Sequence, residues 1–208
     1  MTYHSEYLQD RWLEENVFKG KIGGTFIESG ALNGILHSNT LFFERERAWK
    51  GILVEPNPDC FPSLHRNRPM SKVVQAALWS RPTTLLFEKI SGGLYGWSAV
   101  SVAIDETQRQ RMTANIPKTS IHFVRVQAVT LNDVLCSLPS NKVDYLSLDV
   151  EGSELAVLSV LDWEGFDIDV IGVEDNFGDP ELAELIRSHG YEHLARVGVD
   201  EIWRKIVK

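Results

Sequence analysis

A chain of 208 residues with 43% hydrophobic, 24% charged and 10% aromatic content has the size of one domain, and core enough to fold without disulfides or a structural metal. Its net charge of −8 argues against a general nucleic-acid binder, whose footprint is a basic surface, and leaves small or neutral ligands open. Cys60 and Cys136 form no CxxC pair and read as half-buried free thiols of a reducing compartment. The first ten residues lack a basic stretch followed by an apolar one. No apolar run approaches the roughly 20 residues that span a bilayer, so the expectation is a soluble, cytoplasmic protein with no membrane insertion.

Residues 1–22 form an N-terminal segment. Beyond them, runs rich in β-branched and aromatic residues predict strands at 24–31, 51–56, 72–78, 143–150 and 168–174. Stretches with helical periodicity lie between them, at 38–48, 59–66, 131–138, 153–163 and 180–189. Strict alternation of the two implies βαβ crossovers and a parallel sheet covered on both faces. The chain ends on two strand-like runs, 191–197 and 201–207, joined by a hairpin turn. Residues 83–129 are less regular and read as an insert with acceptor-side elements. They hold a strand at 84–89, a glycine-rich loop at 91–98, a helix at 102–113 and a strand at 121–129. The whole, 1–208, reads as a single domain.

In an open α/β sheet, ligands bind beyond the carboxyl ends of the strands. The first strand ends in FIESGALNG, where Gly30 and Gly34 let the backbone turn sharply near a ligand. The second ends in GILVEPNP, with Glu55 and Pro56 at its tip. An acid at this distance from the glycine loop is placed to hold ribose hydroxyls. Dinucleotide enzymes want GxGxxG aimed at a pyrophosphate. Here one of those glycines is missing, and Glu28 would face a phosphate poorly. S-adenosylmethionine, which carries an amino group and a sulfonium instead, fits the set Glu28, Gly30, Gly34 and Glu55 better. Asn39 and Thr40 stand where a helix N-cap or a carboxylate ligand belongs, and Gln75 and Ala76 where an adenine ring could lie.

These residues resemble the FkbM-type methyltransferases over nearly the whole length. The match runs through SEYLQDRWL, GGTFIESGALNGILHSNT, WKGILVEPNP, NRP at Asn67–Pro69, VDYLSLDVEGSE and VIGVEDN. Two departures are an aspartate in the family where Glu28 stands, and His37 before SNT. The resemblance implies a Rossmann-like class I methyltransferase domain: a mostly parallel seven-stranded sheet, a C-terminal antiparallel hairpin and helices on both faces. It also implies S-adenosylmethionine as donor and hydroxyl groups as the usual acceptors.

An alcohol acceptor has a high pKa and needs a base or a Lewis acid. Asp149, at the tip of the fourth strand, is the leading candidate, followed by Glu151; His37 could orient the acceptor. The fifth strand ends at Glu174, Asp175 and Asn176, beside Asp149. Together they form a hard-oxygen set suited to Mg²⁺ or Mn²⁺, or a metal-free base. Trp97 and its neighbours at 94–98 are a candidate acceptor-side lid. The expected function is O-methylation of a sugar or glycan hydroxyl. The alternatives are a polyketide-type or other small-molecule hydroxyl or amine, or an adenosyl-binding scaffold associated with, or fused to, a glycosyltransferase.

Overall fold

The computed structural model describes residues 2–91, 95–104, 106–176 and 178–207. In chain order the elements begin with α1 (Gln9–Leu13), which runs into a π-helical turn at Glu14–Phe18, then β1 (Thr25–Ser29), α2 (Leu41–Arg47), β2 (Lys50–Val54), α3 (Phe61–Asn67) and β3 (Lys72–Val74). The middle holds β4 (Ala77–Leu78), β5 (Thr83–Ile90), β6 (Ala99–Val100), α4 (Glu106–Asn115) and β7 (Ile121–Val129). Last come α5 (Leu131–Leu135), β8 (Lys142–Leu148), α6 (Glu154–Leu158), β9 (Asp167–Glu174), α7 (Pro180–Ser188), β10 (Tyr191–Val197) and β11 (Asp200–Lys205).

The main sheet has seven strands in the order β10-β11-β9-β8-β1-β2-β3. Strands β3 to β9 within it run parallel, while β11 is antiparallel to both β9 and β10. Its central strands are buried on both faces and send apolar residues to each. Successive residues of each strand go to opposite layers. Ile27, Ile52, Leu146 and Ile171 pack with Leu131, Val157 and Leu182 of α5, α6 and α7. Phe26, Leu53, Tyr145 and Val170 pack with Leu13, Phe42 and Leu64 of α1, α2 and α3. The N-terminal segment is therefore a covering layer of the sheet.

Two sequence expectations need correction. The run 72–78 is not one strand. It pairs with β2 only as far as Val74, then crosses at Gln75 and Ala76, so that Ala77 and Leu78 pair with Ala128 and Val129 of β7. Residues 83–129 also turn out regular, forming with β4 a four-stranded sheet in the order β4-β7-β5-β6. Its core is Ala77, Phe87, Val100, Val126 and Ala128. Part of the predicted loop at 91–98 lies outside the described residues. No described helix is long and apolar enough to cross a membrane. Cys60 is buried and Cys136 exposed.

One buried polar knot fixes the loop between β1 and α2. Glu28 accepts from the Asn39 N–H at 2.8 Å, from the Ser38 hydroxyl at 2.9 Å and from the Thr40 hydroxyl. Arg68, at the end of α3, is 0% exposed. It donates to Thr40 Oγ1 at 3.0 Å, Ser38 Oγ at 3.1 Å and the Gly34 carbonyl at 3.2 Å. Its guanidinium also lies 3.0 Å from Glu44 and 3.6 Å from Glu28. Removing the cation strands two buried carboxylates, a change that costs about 3–5 kcal/mol. Arg68→Met should therefore lower the urea midpoint by a corresponding amount. Arg68→Lys, which keeps the charge without the fork, should lose less. An unchanged midpoint in Arg68→Met would show that the knot contributes nothing.

Candidate active site at the strand tips

Strand register assembles the site. Ser29 pairs with Leu148 and Leu148 with Val173, while Glu174 pairs with Asp200. One step beyond those pairs, Gly30, Asp149 and Glu174 stand side by side on β1, β8 and β9. Asp200 completes the row from β11. A Cβ on Gly30 would meet the Asp149 carbonyl oxygen at 2.3 Å, and the residue holds φ +78°. Glycine is required there because two strand ends converge.

Among the cavities that open on this row, two share part of their lining. The first runs between the tips of β1, β2, β4 and β8 and is lined by Ser29, Gly30, Glu55, Pro56, Ala77, Leu78 and Ser153, among others. Phe87 and Val100 of the smaller sheet, with Ser98 just before β6, close it. The second is walled by Glu6, Tyr7, His37, Trp97, Arg111, Met112, Glu174 and Asn176. Leu32, Gly96, Asp149 and Glu151 line both, so the cavities meet at the two acids. Glu151 sits there with φ +54°, a strained conformation that tends to occur where structure serves a site.

Glu55 is 2% exposed. Its carboxylate accepts from the Leu32 N–H at 2.8 Å and the Asn57 N–H at 2.7 Å. Loss of water pushes its pKa up to about 7 despite those two amides. Asp149 and Glu174 face each other, with carboxyl oxygens within 4.8 Å. Burial, then the neighbouring Glu174, Glu151, Asp200 and Glu154, raises Asp149 well above the carboxylate range. Burial likewise raises Glu174. Burial and Glu174 push Asp200 to about 7 and Glu154 to about 8. Carboxyls in this proximity hold a proton between them rather than all ionising.

Of the residues singled out from sequence, Gly30, Glu55, Pro56, Asp149 and Glu151 line the first cavity, and His37, Asp149, Glu151, Glu174 and Asn176 the second. His37 stands at the rim with Nδ1 2.8 Å from Glu6. Four expected ligand positions are placed elsewhere. The oxygens of Glu28 are taken up by residues 38–40, which makes it the anchor of that loop. Gly34 faces α3, where a Cβ would meet Arg68 Cγ at 2.6 Å and Leu64 Cδ1 at 2.7 Å. Asn39, drawn down by Glu28, donates to Ser147 at 3.0 Å and Asp200 at 3.4 Å and lines neither cavity. Ala76 is spent on the crossing to the second sheet, and Ala77 and Leu78 take the wall instead.

The carboxylate set also changes. Asp175 turns away, accepting from the Gly178 and Asp179 amides at the approach to α7. Glu154 replaces it, and Asp149, Glu154 and Glu174 can each bring one oxygen within 4.8 Å of the others. Sequence reading missed Asp200, Glu6, Ser153, Phe87 and Arg111. The hairpin, the N-terminal segment and the insert carry most of these, with no local motif to mark them. Ser153, inside the quoted VDYLSLDVEGSE, was the one within reach.

Comparison with known proteins agrees with this architecture. Residues 28–193 match the methyltransferase FkbM domain. "Methyltransferase 1" of Beauveria bassiana (strain ARSEF 2860) is 32% identical over 166 residues, 73% of this chain and 67% of that protein. Methyltransferase FkbM from Methylobacillus flagellatus KT superposes with a TM-score of 0.51 at 11% identity, over 88% of this chain but only 43% of the bacterial one. The METTL16 MTase domain gives 0.52 at 12% identity, over 97% of this chain and 67% of that one. At such identities the two structures speak for the fold alone, which is that of the Rossmann-like class I methyltransferases. With the family match covering most of its length, the chain belongs to the FkbM methyltransferase-domain family.

Proposed function

We propose that the chain transfers a methyl group from S-adenosylmethionine to a hydroxyl of a small acceptor of the sugar or glycan class. The observation that carries this reading is the meeting of two cavities at Asp149 and Glu151. One cavity has the lining a nucleoside needs and the other is open to an acceptor. The donor fits the first on its chemistry: Glu55 is a buried carboxylate oriented by backbone amides, suited to accept from ribose hydroxyls, and Gly30 leaves room for close approach. When bound, the donor supplies a methyl group on a sulfonium, a good leaving group. The Asp149–Glu174 pair, which shares one proton and carries one negative charge, takes the acceptor's proton and becomes neutral. Trp97 and Tyr7 in the second cavity offer faces for a sugar ring. A second reading gives Asp149, Glu154 and Glu174 a divalent cation that lowers the hydroxyl pKa. Glu154 already accepts from the Val150 and Gly152 amides at 2.9 Å, which favours the metal-free base.

Five measurements test this. A mass-spectrometric screen with labelled donor should mark neutral glycosides and leave RNA and DNA unmarked. Methylation confined to amines would redirect the assignment. Glu55 accepts more strongly when ionised, and its pKa is about 7. Adenosylhomocysteine affinity should therefore rise with pH through 7 in calorimetry, and Glu55→Gln should both weaken binding and flatten that profile. Asp149→Asn should cut turnover by roughly 10²–10⁴. Both acids of the pair are raised, so wild-type activity should be lost on acidification well above the ordinary aspartate range near 4. EDTA should leave turnover intact. Loss of activity on chelation, with recovery in Mg²⁺ or Mn²⁺, would transfer the role to a cation.

A further inference from the structure

The first cavity has an apolar portion built from Ala77, Leu78, Phe87, Val100 and Val150, with Ser153 among them. Ser153 is the N-cap residue of α6 and is 1% exposed. A serine at that position ordinarily accepts from an amide of the first helical turn. Here it makes no capping bond, and its hydroxyl has no hydrogen-bond partner. Glu154 accepts from the amides of Val150 and Gly152, in the loop that precedes the helix. Among the described residues lining this cavity, Ser153 alone keeps a fully buried side-chain polar atom without a partner. Such a group is costly unless a ligand satisfies it.

A largely apolar wall that carries one buried hydroxyl without a partner suits an aromatic ring with a polar edge. We propose that Ser153 is the specificity residue for the nucleobase of the donor, its hydroxyl accepting from the exocyclic amine of adenine. This rests on the donor reading above, and Ser153 positions the base without touching the reacting atoms. Serine can satisfy a single amine hydrogen at this depth, and a site built to bond such a group rejects an analogue lacking it.

The test is a calorimetric cycle on the full chain. It uses adenosylhomocysteine and its analogue with hydrogen in place of the 6-amino group, with wild type, Ser153→Ala and Ser153→Thr. Wild type should prefer the amino ligand by about five- to tenfold, the scale of one hydrogen bond. Ser153→Ala should bind the two alike, and Ser153→Thr, which keeps the hydroxyl, should retain the preference. Thermal midpoints within a few degrees of wild type establish that the variants are folded. A preference unchanged in Ser153→Ala, or equal weakening of both ligands, overturns the assignment while leaving the donor reading in place. Failure of wild type to bind adenosylhomocysteine removes the donor reading and this inference with it.

Discussion

Everything at this site depends on the parallel register of β1, β8 and β9 and the antiparallel addition of β11. That pairing brings Gly30, Asp149, Glu174 and Asp200 into one row. Like charges directly opposite one another destabilise a sheet, and burial adds to the cost. The row is tolerated because burial and mutual repulsion raise these carboxyls above the usual range, so that they need not all be ionised together.

Around this row the protein divides its polar groups into two kinds. Glu28, Arg68, Ser38 and Thr40 satisfy one another completely enough to hold a loop. Glu55, Asp149 and Ser153 are left with capacity on the cavity side. The second sheet, raised on the short strand β4, closes the first cavity with Phe87 and Val100, and the insert walls the second with Trp97, Arg111 and Met112. The insert therefore shapes both compartments, and the N-terminal residues Glu6 and Tyr7 wall the second.

The alternation of apolar runs with helical periodicities carried the order of the main elements, since each run is long enough to show its own period. Strand β7 and the hairpin at the C-terminal end were readable on the same grounds. Residues 72–78 were not, because a crossing between sheets leaves no mark on a short apolar run. At the site, an acid at a strand tip is legible where the strand is, and Glu55, Asp149 and Glu174 were found that way. Glu28 was found equally well and its contacts were not, because sequence shows that a carboxylate is present and never which donors reach it.

The sequence by itself determined the layered α/β architecture, the family and the acids at the ends of the parallel strands. These follow from periodicity and short-range motifs, which neighbouring residues encode directly. Only the tertiary structure decided which acids act together. Asp175 and Glu174 are adjacent in sequence, yet one ties down the approach to α7 while the other faces Asp149. Asp200 joins the row from the far end of the chain, and Ser153 forgoes its cap to line a cavity. Side-chain direction and long-range pairing are set by packing against residues distant in sequence, and no local pattern records them.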